Sequence, residues 1–600
     1  MSKKTINSNV EKIMGLTPMQ NGMLYHKMLN DESTEYVLQH VFSIQGKLYE
    51  DLLKQSIELL TYKYEVLRTV FLYRKVAQPK QVILKQRKAM MQIVDLTTLT
   101  DEEQQKNIEL TKSLDVHKGF DLEKDNLFRV TVIRLSDTKS ILLQTVHHII
   151  MDGWCNAILF QDLIKYYEAL KSGKSYADMM AIVEGEKRRT APFSSYVKWV
   201  ESQDENEGLD YWKNLLEDYS SIAEIKPMVK PRKTSSRVDL VELQLEKESS
   251  KRLQEYAVKY NLTLNTVLEA AWGVVLQRYN YTDDVVFGKV VSGRNAAIPG
   301  IDHAVGLFIN TIPVRVQTSE TDKVVDVLKR VQEQAMDSVR YDYCSLAEVQ
   351  QQSELKQNLI KTLFVYENYY VDESMNQTMS DIDIAMDSQR EQTNYGLSVG
   401  TFLTDCIHAK FMFDPNEYEK QEVERIAKHY LYVLEEMSQD IELPIKQLSM
   451  IDEEETQLVT KAYNSNYQEY DHTKDVISVF EEIVDKYQDH TAVVYQSEHI
   501  TYQELNRRAN RIASWLRSRG IGEGNCVAVM TRRGIAMIEA IYGVIKSGGA
   551  YVPIDLSYPK DRIEYILKDC SAKAIITTED SLEDWDNLSV LCLSDPALKE

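Results

Sequence analysis

The residues best suited to chemistry in this chain stand together in one stretch, Thr145–Trp154. It contains the adjacent histidines His147 and His148, followed by Asp152-Gly153. Histidine has the ordinary pKa nearest neutrality, so it can accept a proton from a nucleophile at physiological pH. A positioned base is typically worth roughly 10²–10⁴-fold in rate. The stretch is therefore a candidate site for general-base or positioning chemistry.

The neighbouring sequence predicts how this stretch is held. Ser140–Gln144 is rich in apolar and β-branched residues and predicts a buried strand. Successive strand side chains point to opposite faces, so one histidine should face a substrate path and the other the core. Asp152-Gly153 predicts a tight turn. A helix should follow and end at Ser172-Gly173, with one apolar face formed by Ile158, Leu163, Tyr167 and Leu170.

The histidine pair has two other interpretations. A histidine in an apolar strand is most often a satisfied core residue. A zinc site is the second alternative, but adjacent histidines at a strand end converge poorly on one ion. No nearby cysteine or glutamate completes the usual zinc spacing, so we expect no metal.

The stretch His147–Gly153 resembles the HHxxxDG signature of condensation domains from nonribosomal peptide synthetases. Other family motifs are matched in order by Leu16–Tyr25, Tyr64–Phe71, Phe193–Trp199 and Val305–Arg315. Lys63-Tyr64 departs from the pattern, because the family usually has Arg-His there. The arrangement is most similar to the first module of a tyrocidine- or surfactin-type synthetase chain.

The resemblance implies an acyltransferase-type enzyme that forms an amide bond. The donor is a peptidyl or aminoacyl thioester, and the acceptor is the amine of an aminoacyl thioester. Both would be carried on the phosphopantetheine of partner carrier proteins, and we expect no cofactor bound by this chain. His148 is the expected base or positioning group, and His147 should face the core.

Further site residues follow from the same resemblance. The candidate catalytic set is completed by Asp152 and Gly153. A buried carboxylate at a turn needs a cation or backbone donors, and Arg294 is the expected partner of Asp152. Asp152 could instead orient a histidine. Gly153 should supply backbone freedom or close approach. The expected supporting residues are Arg68 and Asn310, as scaffold near the lobe junction, and Trp154, as packing.

The expected fold class is α/β. The resemblance implies two chloramphenicol-acetyltransferase-like lobes in a V-shaped pseudo-dimer, plus an incomplete α/β adenylation N-terminal subdomain. Ile500–Leu505 and Lys546–Asp555 resemble early adenylation sequence, whereas the phosphate loop of that family is not found, so no amino-acid activation is expected. The predicted divisions are 1–15 docking segment, 16–180 N-terminal lobe, 181–442 C-terminal lobe, 443–470 linker and 471–600 partial adenylation domain.

Several elements are predicted from hydrophobic spacing. Helices are expected at Asp51–Tyr64 and Asn265–Tyr279, and Glu11–Met28 could form one helix broken near Pro18. Lys174–Thr190 should be a connection without regular structure. Strands are expected at Asp284–Val291, within Glu391–Phe413, and in two runs of Arg129–Ile149, whereas Lys226–Ser236 should be a loop and Val476–Ser518 two helices around a short strand.

Composition bounds the partners and the compartment. The net charge of −22 argues against nucleic acid or an anionic membrane as a partner. The six cysteines form no CxxC pair, which suits a reducing cytosol. No apolar run is long enough for a membrane span, and no signal peptide is recognised. We therefore expect a cytoplasmic protein, monomeric in itself, built on several hydrophobic cores.

The expected partners are an upstream synthetase's donor carrier, docking through residues 1–15, and a downstream acceptor carrier. Alternative functions are a starter domain that takes a fatty acyl donor and a catalytically silent docking platform. A dual epimerase–condensation domain would carry a second His-His pair, and a heterocyclising relative would show Asp in place of the histidines. Neither feature is present. The motif slightly favours a D-configured donor.

Overall fold

The structure of the protein is a computed structural model. It describes all residues except 1–8, 31–33, 230, 232, 235–237, 368–376, 380, 391–393, 467, 579–587 and 595–600. The chain divides into two compact units, Met1–Leu458 and Val459–Glu600. Both contain helices packed on sheets, so the predicted α/β class is confirmed.

The first unit contains strands from near its start to residue 413. Among the described residues they are β1 Val10–Met14, β2 Val37–Gln45, β3 Thr69–Leu72, β4 Lys80–Leu84, β5 Met91–Asp95, β6 Phe128–Arg134, β7 Lys139–His147, β8 Asp239–Gln244, β9 Asp284–Val291, β10 Asn310–Gln317, β11 Thr362–Tyr366, β12 Gln377–Met379, β13 Ile382–Arg390, β14 Leu397–Leu403 and β15 Ile407–Phe413.

The helices of the first unit alternate with these strands. They are α1 Pro18–Leu29, α2 Glu50–Lys63, α3 Asp101–His117, α4 Trp154–Lys171, α5 Tyr176–Lys187, α6 Phe193–Glu201, α7 Glu205–Leu215, α8 Lys247–Lys259, α9 Leu264–Asn280, α10 Val324–Ser338, α11 Leu346–Gln351, α12 Lys420–Gln439 and α13 Glu453–Gln457. The predicted helices near 51–64 and 265–279 and the two predicted strand runs within Arg129–Ile149 are confirmed, and the two strands pair antiparallel.

One six-stranded sheet carries the histidine motif, in the order β12-β13-β2-β7-β6-β5. Strand β13 of this sheet comes from late in the chain and pairs antiparallel with β2. The core against this sheet also takes in Phe193 of α6 and Leu307 and Phe308, which precede β10. Residues beyond the predicted lobe boundary at 180 therefore contribute to this sheet and its core, because long-range strand pairing completes the sheet, and the boundary itself stays a prediction.

A second six-stranded sheet has the order β10-β9-β11-β14-β15-β8. Helix α9 is buried against it, with Trp272 wholly enclosed beside Tyr430 and Phe411. The core includes Ile445 and Leu448, so a linker beginning at 443 is predicted too early. Because the apolar side chains of Ile445 and Leu448 pack in this core, the segment that contains them belongs to the first unit.

The N-terminal segment differs from its prediction as one interrupted helix. Val10–Met14 is a strand, β1, which pairs antiparallel with β4 in a sheet of order β1-β4-β3. The helix begins only at Pro18, where Thr17 and Gln20 form a capping box. Residues 1–8 of the predicted docking segment lie outside the described residues. Residues 10–14 are part of the first unit's own fold.

The predicted connection Lys174–Thr190 contains helix α5, so that prediction is wrong. Ser175 caps the helix by accepting the N–H of Asp178, and Met179 and Val183 bury one narrow face of it.

Lys63 and Tyr64, the two residues that depart from the family motif, contact the neighbouring helices. The ammonium nitrogen of Lys63 lies 2.6 Å from the carboxylate of Asp162 on α4 and 3.1 Å from that of Glu186 on α5. Tyr64 also donates to Asp162. The two residues that depart from the motif pattern thus brace α4, which follows the histidine loop.

The second unit contains α14 Val476–Tyr487, β16 Thr491–Tyr495, β17 Glu498–Thr501, α15 Tyr502–Arg517, β18 Cys526–Met530, α16 Ile535–Ser547, β19 Ala550–Pro553, α17 Lys560–Asp569, β20 Ala574–Thr577 and β21 Ser589–Cys592. A parallel sheet has the order β19-β18-β20-β21. The helix–strand–helix prediction is confirmed, with a two-stranded hairpin in place of one strand. Across the described part of the chain, no helix is long and apolar enough to cross a membrane.

Candidate active site

The histidine motif lies where strand β7 changes into a single 3₁₀ turn, His148–Ile150. Strand β7 is central in its sheet, between β2 and β6. The backbone N–H of His148 donates to the carbonyl oxygen of Tyr36 at 2.8 Å. The catalytic candidate is therefore anchored to the neighbouring strand rather than carried on a free loop.

His147 lies in the core. Its side chain packs edge-on against Phe120, and its Nδ1 accepts the N–H of Ile149 at 3.1 Å. Burial, with smaller effects of His148 and Lys27, lowers the pKa of His147 to about 3. This ring is neutral at physiological pH and shapes the turn that presents His148.

His148 lines a cavity of about 930 Å³. The wall of this cavity comes from helices α1 and α11, from strands of the second six-stranded sheet, and from the residues directly before β2 and after β7. Asp152, Gly153, Trp154, Arg294 and Asn310 also line it, whereas His147 and Arg68 do not. The placement agrees with the prediction that the two histidines face different surroundings.

The predicted ion pair of Asp152 and Arg294 is confirmed, with Arg294 Nη2 3.3 Å from Asp152 Oδ1. Asp152 Oδ2 accepts the N–H of Phe308 at 3.0 Å, and the Asp152 N–H donates to the carbonyl of Gly306. Asp152 is completely buried. Its carboxylate is thus satisfied by one cation, one backbone donor and the thiol of Cys155, which favours the structural role over orientation of a histidine.

Arg294 is held by the backbone that precedes β10. Its Nη1 donates to the carbonyls of Ile301 and Ala304, at 2.7 and 2.9 Å. The preceding Gly293 has φ +61°, and a Cβ there would lie 1.9 Å from the carbonyl oxygen of Phe308. Gly153 has φ −60° and ψ −31°, which any residue can adopt. The predicted need for backbone freedom at Gly153 is therefore wrong, and that need belongs to Gly293.

The remaining predicted residues have distinct places. Asn310 donates to the carbonyls of Asp342 and Cys344, both at 2.7 Å, and so fixes the turn before α11. Trp154 donates from Nε1 to the carbonyl of Asp302. Arg68 binds Glu11 and the carbonyl of Thr61, away from the cavity wall. These contacts join β1 to α2, and the expected place of Arg68 near the lobe junction stays a prediction.

Sequence reasoning missed two buried groups beside the motif. Cys155 lies within 3.3 Å of Asp152 Oδ1 and accepts the N–H of Gly306 at 3.3 Å. Burial raises its thiol pKa, so the thiol stays protonated. His40 on β2 contacts Asn156 of α4 at 3.2 Å, and burial lowers its pKa to about 4. The only sequence signal for Cys155 was its position directly after the motif.

Of the two histidines, only His148 lines the large cavity. Buried contacts hold its backbone and the turn to which it belongs. A cavity of this size lies within the roughly 300–1,000 Å³ range of pockets that enclose a small molecule. Within the described residues no group of three or more His, Cys, Asp or Glu could hold a metal ion. The site suits proton transfer to or from a group held in the cavity, or orientation of that group.

Comparison with known proteins decides the family, because residues 10–460 match the family described as condensation domain. This chain belongs to the condensation-domain family of nonribosomal peptide synthetases. The general function of these domains is amide-bond formation. Residues 480–599 match the AMP-binding enzyme family and correspond to the beginning of an adenylation domain.

Curated relatives agree with this assignment. Bacitracin synthase 3 of Bacillus licheniformis is 36% identical over 573 residues, which are 95% of this chain and 9% of the relative. Tyrocidine synthase 3 of Brevibacillus parabrevis is 36% identical over 601 residues, which are 99% of this chain and 9% of the relative. The chain thus spans less than a tenth of either relative.

Solved structures share the fold. A four-domain nonribosomal peptide synthetase bound to AMP and glycine superposes with a TM-score of 0.68 at 19% identity, over 99% of this chain and 45% of that one. The first condensation domain of the calcium-dependent antibiotic synthetase, in complex with a substrate analogue, gives a TM-score of 0.57 at 18% identity. That match covers 74% of this chain and all of the other.

Proposed function

We propose that the first unit joins a donor peptidyl or aminoacyl thioester to the amine of an acceptor aminoacyl thioester. The observation that carries this proposal is the placement of His148 on the wall of the 930 Å³ cavity. Membership of the condensation-domain family supports it. The motif residues around His148 are intact and mutually bonded, which argues against a silent docking platform.

In the proposed reaction the neutral acceptor amine attacks the carbonyl carbon of the donor thioester. The carbon–nitrogen bond forms and the carbon–sulfur bond breaks. The proton lost by the amine passes to His148, which then gives it to the leaving donor sulfur, so that the sulfur departs as a thiol and the histidine is neutral again. Holding both thioesters in one cavity makes the step effectively intramolecular, which can contribute more than the base itself.

Asp152 and Arg294 act by position. They tie the loop that follows His148 to the segment between β9 and β10. Asn310 fixes the turn that leads into α11, another wall of the cavity. These contacts keep the base and the opposite wall at a constant separation.

The substrates would arrive on the phosphopantetheine arms of an upstream donor carrier and a downstream acceptor carrier. The chain itself would bind no cofactor. The working unit would be a monomer. If residues 1–15 aid docking, the segment before β1 is the better candidate, because Val10–Met14 is already paired in a sheet.

Reconstitution tests this function. The full chain is mixed with separately loaded donor and acceptor carriers, and acceptor-bound products are followed by mass spectrometry. Donors should include L-aminoacyl, D-aminoacyl, dipeptidyl and fatty acyl groups. Amide formation from aminoacyl or dipeptidyl donors supports the proposal. A product from fatty acyl donors alone would favour a starter domain, and no product from any donor would favour a silent platform.

A further inference from the structure

Tyr36 lies directly before β2, opposite the catalytic turn. In the register of β2 and β7, Val37 pairs with His147, so Tyr36 comes next to His148. The carbonyl oxygen of Tyr36 accepts the N–H of His148 at 2.8 Å. Tyr36 and His148 also line the same cavity. These two residues therefore share a backbone contact and a common space for substrate.

The backbone of Tyr36 has an uncommon conformation. Its φ is +63°, in the left-handed region that a bulky side chain rarely adopts. Such strain persists where surrounding structure determines it, and it concentrates at functional sites. Here the strained residue ends the pairing of β2 and turns its carbonyl to His148. The left-handed conformation of Tyr36 thus accompanies the hydrogen bond that its carbonyl oxygen accepts from His148.

The ring of Tyr36 is partly buried on the cavity wall. It packs at 6.1 Å from the ring of His26 on α1, which also lines the cavity. Burial, together with the nearby Glu35 and Tyr395, raises the pKa of the Tyr36 hydroxyl. At neutral pH the group is therefore an un-ionised O–H, able to donate a hydrogen bond but not to serve as a base.

The proposed condensation needs such a donor. As the amine adds to the thioester, negative charge grows on the carbonyl oxygen until the carbon–sulfur bond breaks. A pre-positioned donor in a partly enclosed site lowers the energy of that state. His148 handles the amine proton, so it does not serve the carbonyl oxygen at the same moment.

We propose that Tyr36 is a further catalytic residue, whose hydroxyl donates a hydrogen bond to the donor's carbonyl oxygen while its backbone carbonyl holds His148. This inference rests on the proposed amide-forming function. The hydroxyl keeps its proton throughout, so the balance of the reaction is unchanged. The amine proton still passes to His148 and the thiol still leaves.

The test compares Tyr36→Phe with the wild-type full chain in single-turnover reactions. Aminoacyl pantetheine thioesters serve as donor and acceptor probes, varied in concentration. We expect the maximal rate to fall by about tenfold or more, with little change in the half-saturating concentration. The matched control is Tyr281→Phe, because Tyr281 is also left-handed, with φ +50°, but is 96% exposed. It should react like the wild type.

Tyr36→Gly separates the ring from the backbone. Glycine adopts positive φ without strain and keeps the carbonyl that binds His148. The variant should stay folded and be at least as slow as Tyr36→Phe. All rates are normalised to the folded fraction measured by circular dichroism.

A wild-type rate for Tyr36→Phe, or a loss that vanishes on this normalisation, would overturn the proposal. His148→Ala distinguishes this failure from that of the reaction itself. If His148→Ala is inactive and Tyr36→Phe is not, only the role of Tyr36 is refuted.

Discussion

Asp152 and Arg294 form an ion pair in the interior of the first unit, although 142 positions separate them in the sequence. The side chains of Asp152 and Arg294 are only 1% and 4% exposed, and Asp152 Oδ1 lies 3.3 Å from Arg294 Nη2. Asp152 belongs to the loop after His148, and Arg294 follows β9 of the second sheet. The pair therefore fastens the active turn to an element of the other sheet.

The first prediction concerns this pair. Asp152→Asn and Arg294→Ala should each lower the free energy of unfolding by about 3–5 kcal/mol, because each leaves a buried group without its partner. The double variant should lose clearly less free energy of unfolding than the sum of the losses in the two single variants. Urea denaturation of the four proteins measures the coupling, which we expect to exceed about 1 kcal/mol.

The exposed pair of Lys446 and Glu320 provides the control for this cycle. Its nitrogen and oxygen atoms are 2.5 Å apart, but the side chains are 48% and 83% exposed. Solvent screening should keep its coupling well below that of the buried pair. If the buried pair shows no more coupling than the exposed one, the proposed fastening role is wrong.

A second prediction separates His147 from its neighbour. His147→Ala should lower the free energy of unfolding by about 2 kcal/mol or more, since it opens a cavity and leaves the Ile149 N–H without its acceptor. His147→Asn should recover part of this loss, because its Oδ1 can accept that N–H. Thermal melting of both variants provides the check. Equal melting temperatures for His147→Ala and wild type would refute the core assignment.

The third prediction is a loss of stability in acid. His147 and His40 have an ordinary pKa of 6.5, which burial lowers to about 3 and about 4. Below about pH 6.5 the unfolded chain therefore binds protons that the folded chain does not. Stability should fall as the pH drops from 6.5 towards 4, by up to about 1.4 kcal/mol per pH unit for each histidine.

Urea denaturation between pH 7.5 and pH 4 measures this slope. His147→Asn carries no titrating ring, so its slope should be shallower by the contribution of one histidine. If the stability of His147→Asn changes with pH as steeply as that of wild type, His147 is protonated in the folded chain.

A fourth prediction concerns the N-terminal segment. Deleting Met1–Met14 should lower stability, because it removes β1 and the carboxylate of Glu11, 2.7 Å from buried Arg68. Deleting Met1–Ser8 should leave the melting temperature unchanged. If this segment aids docking, the shorter deletion should slow condensation only at limiting upstream synthetase. An unchanged rate there would refute the docking role, and equal melting of both deletions would refute the role of β1.

The sequence predicted local features well where one pattern decides them. Strand β9 was placed correctly by its apolar run, and helix α9 by the spacing of its buried residues. The turn that leads into α4 was predicted from Asp152-Gly153, whereas the 3₁₀ turn His148–Ile150 directly after β7 was not predicted. The partner of Asp152 came from the resemblance, because no local pattern points from residue 152 to residue 294.

Other features depend on distant contacts. Strand β1 is fixed by pairing with β4 and by the bond from Arg68 to Glu11, neither of which a short segment reveals. Strand β13 joins the first sheet from beyond residue 380. Tyr36 was missed because its position depends on the register of β2 against β7. Sequence spacing predicts elements, whereas pairing decides which residues meet at the site.

The most direct test of the account is the single-turnover rate of amide formation by His148→Ala. Donor and acceptor are presented as carrier-bound thioesters, and the product is quantified by mass spectrometry. We expect a rate lower by about 10²-fold or more, with a wild-type melting temperature. His147→Asn, compared at equal folded fraction, should retain most of the activity. A wild-type rate for His148→Ala would contradict the central claim.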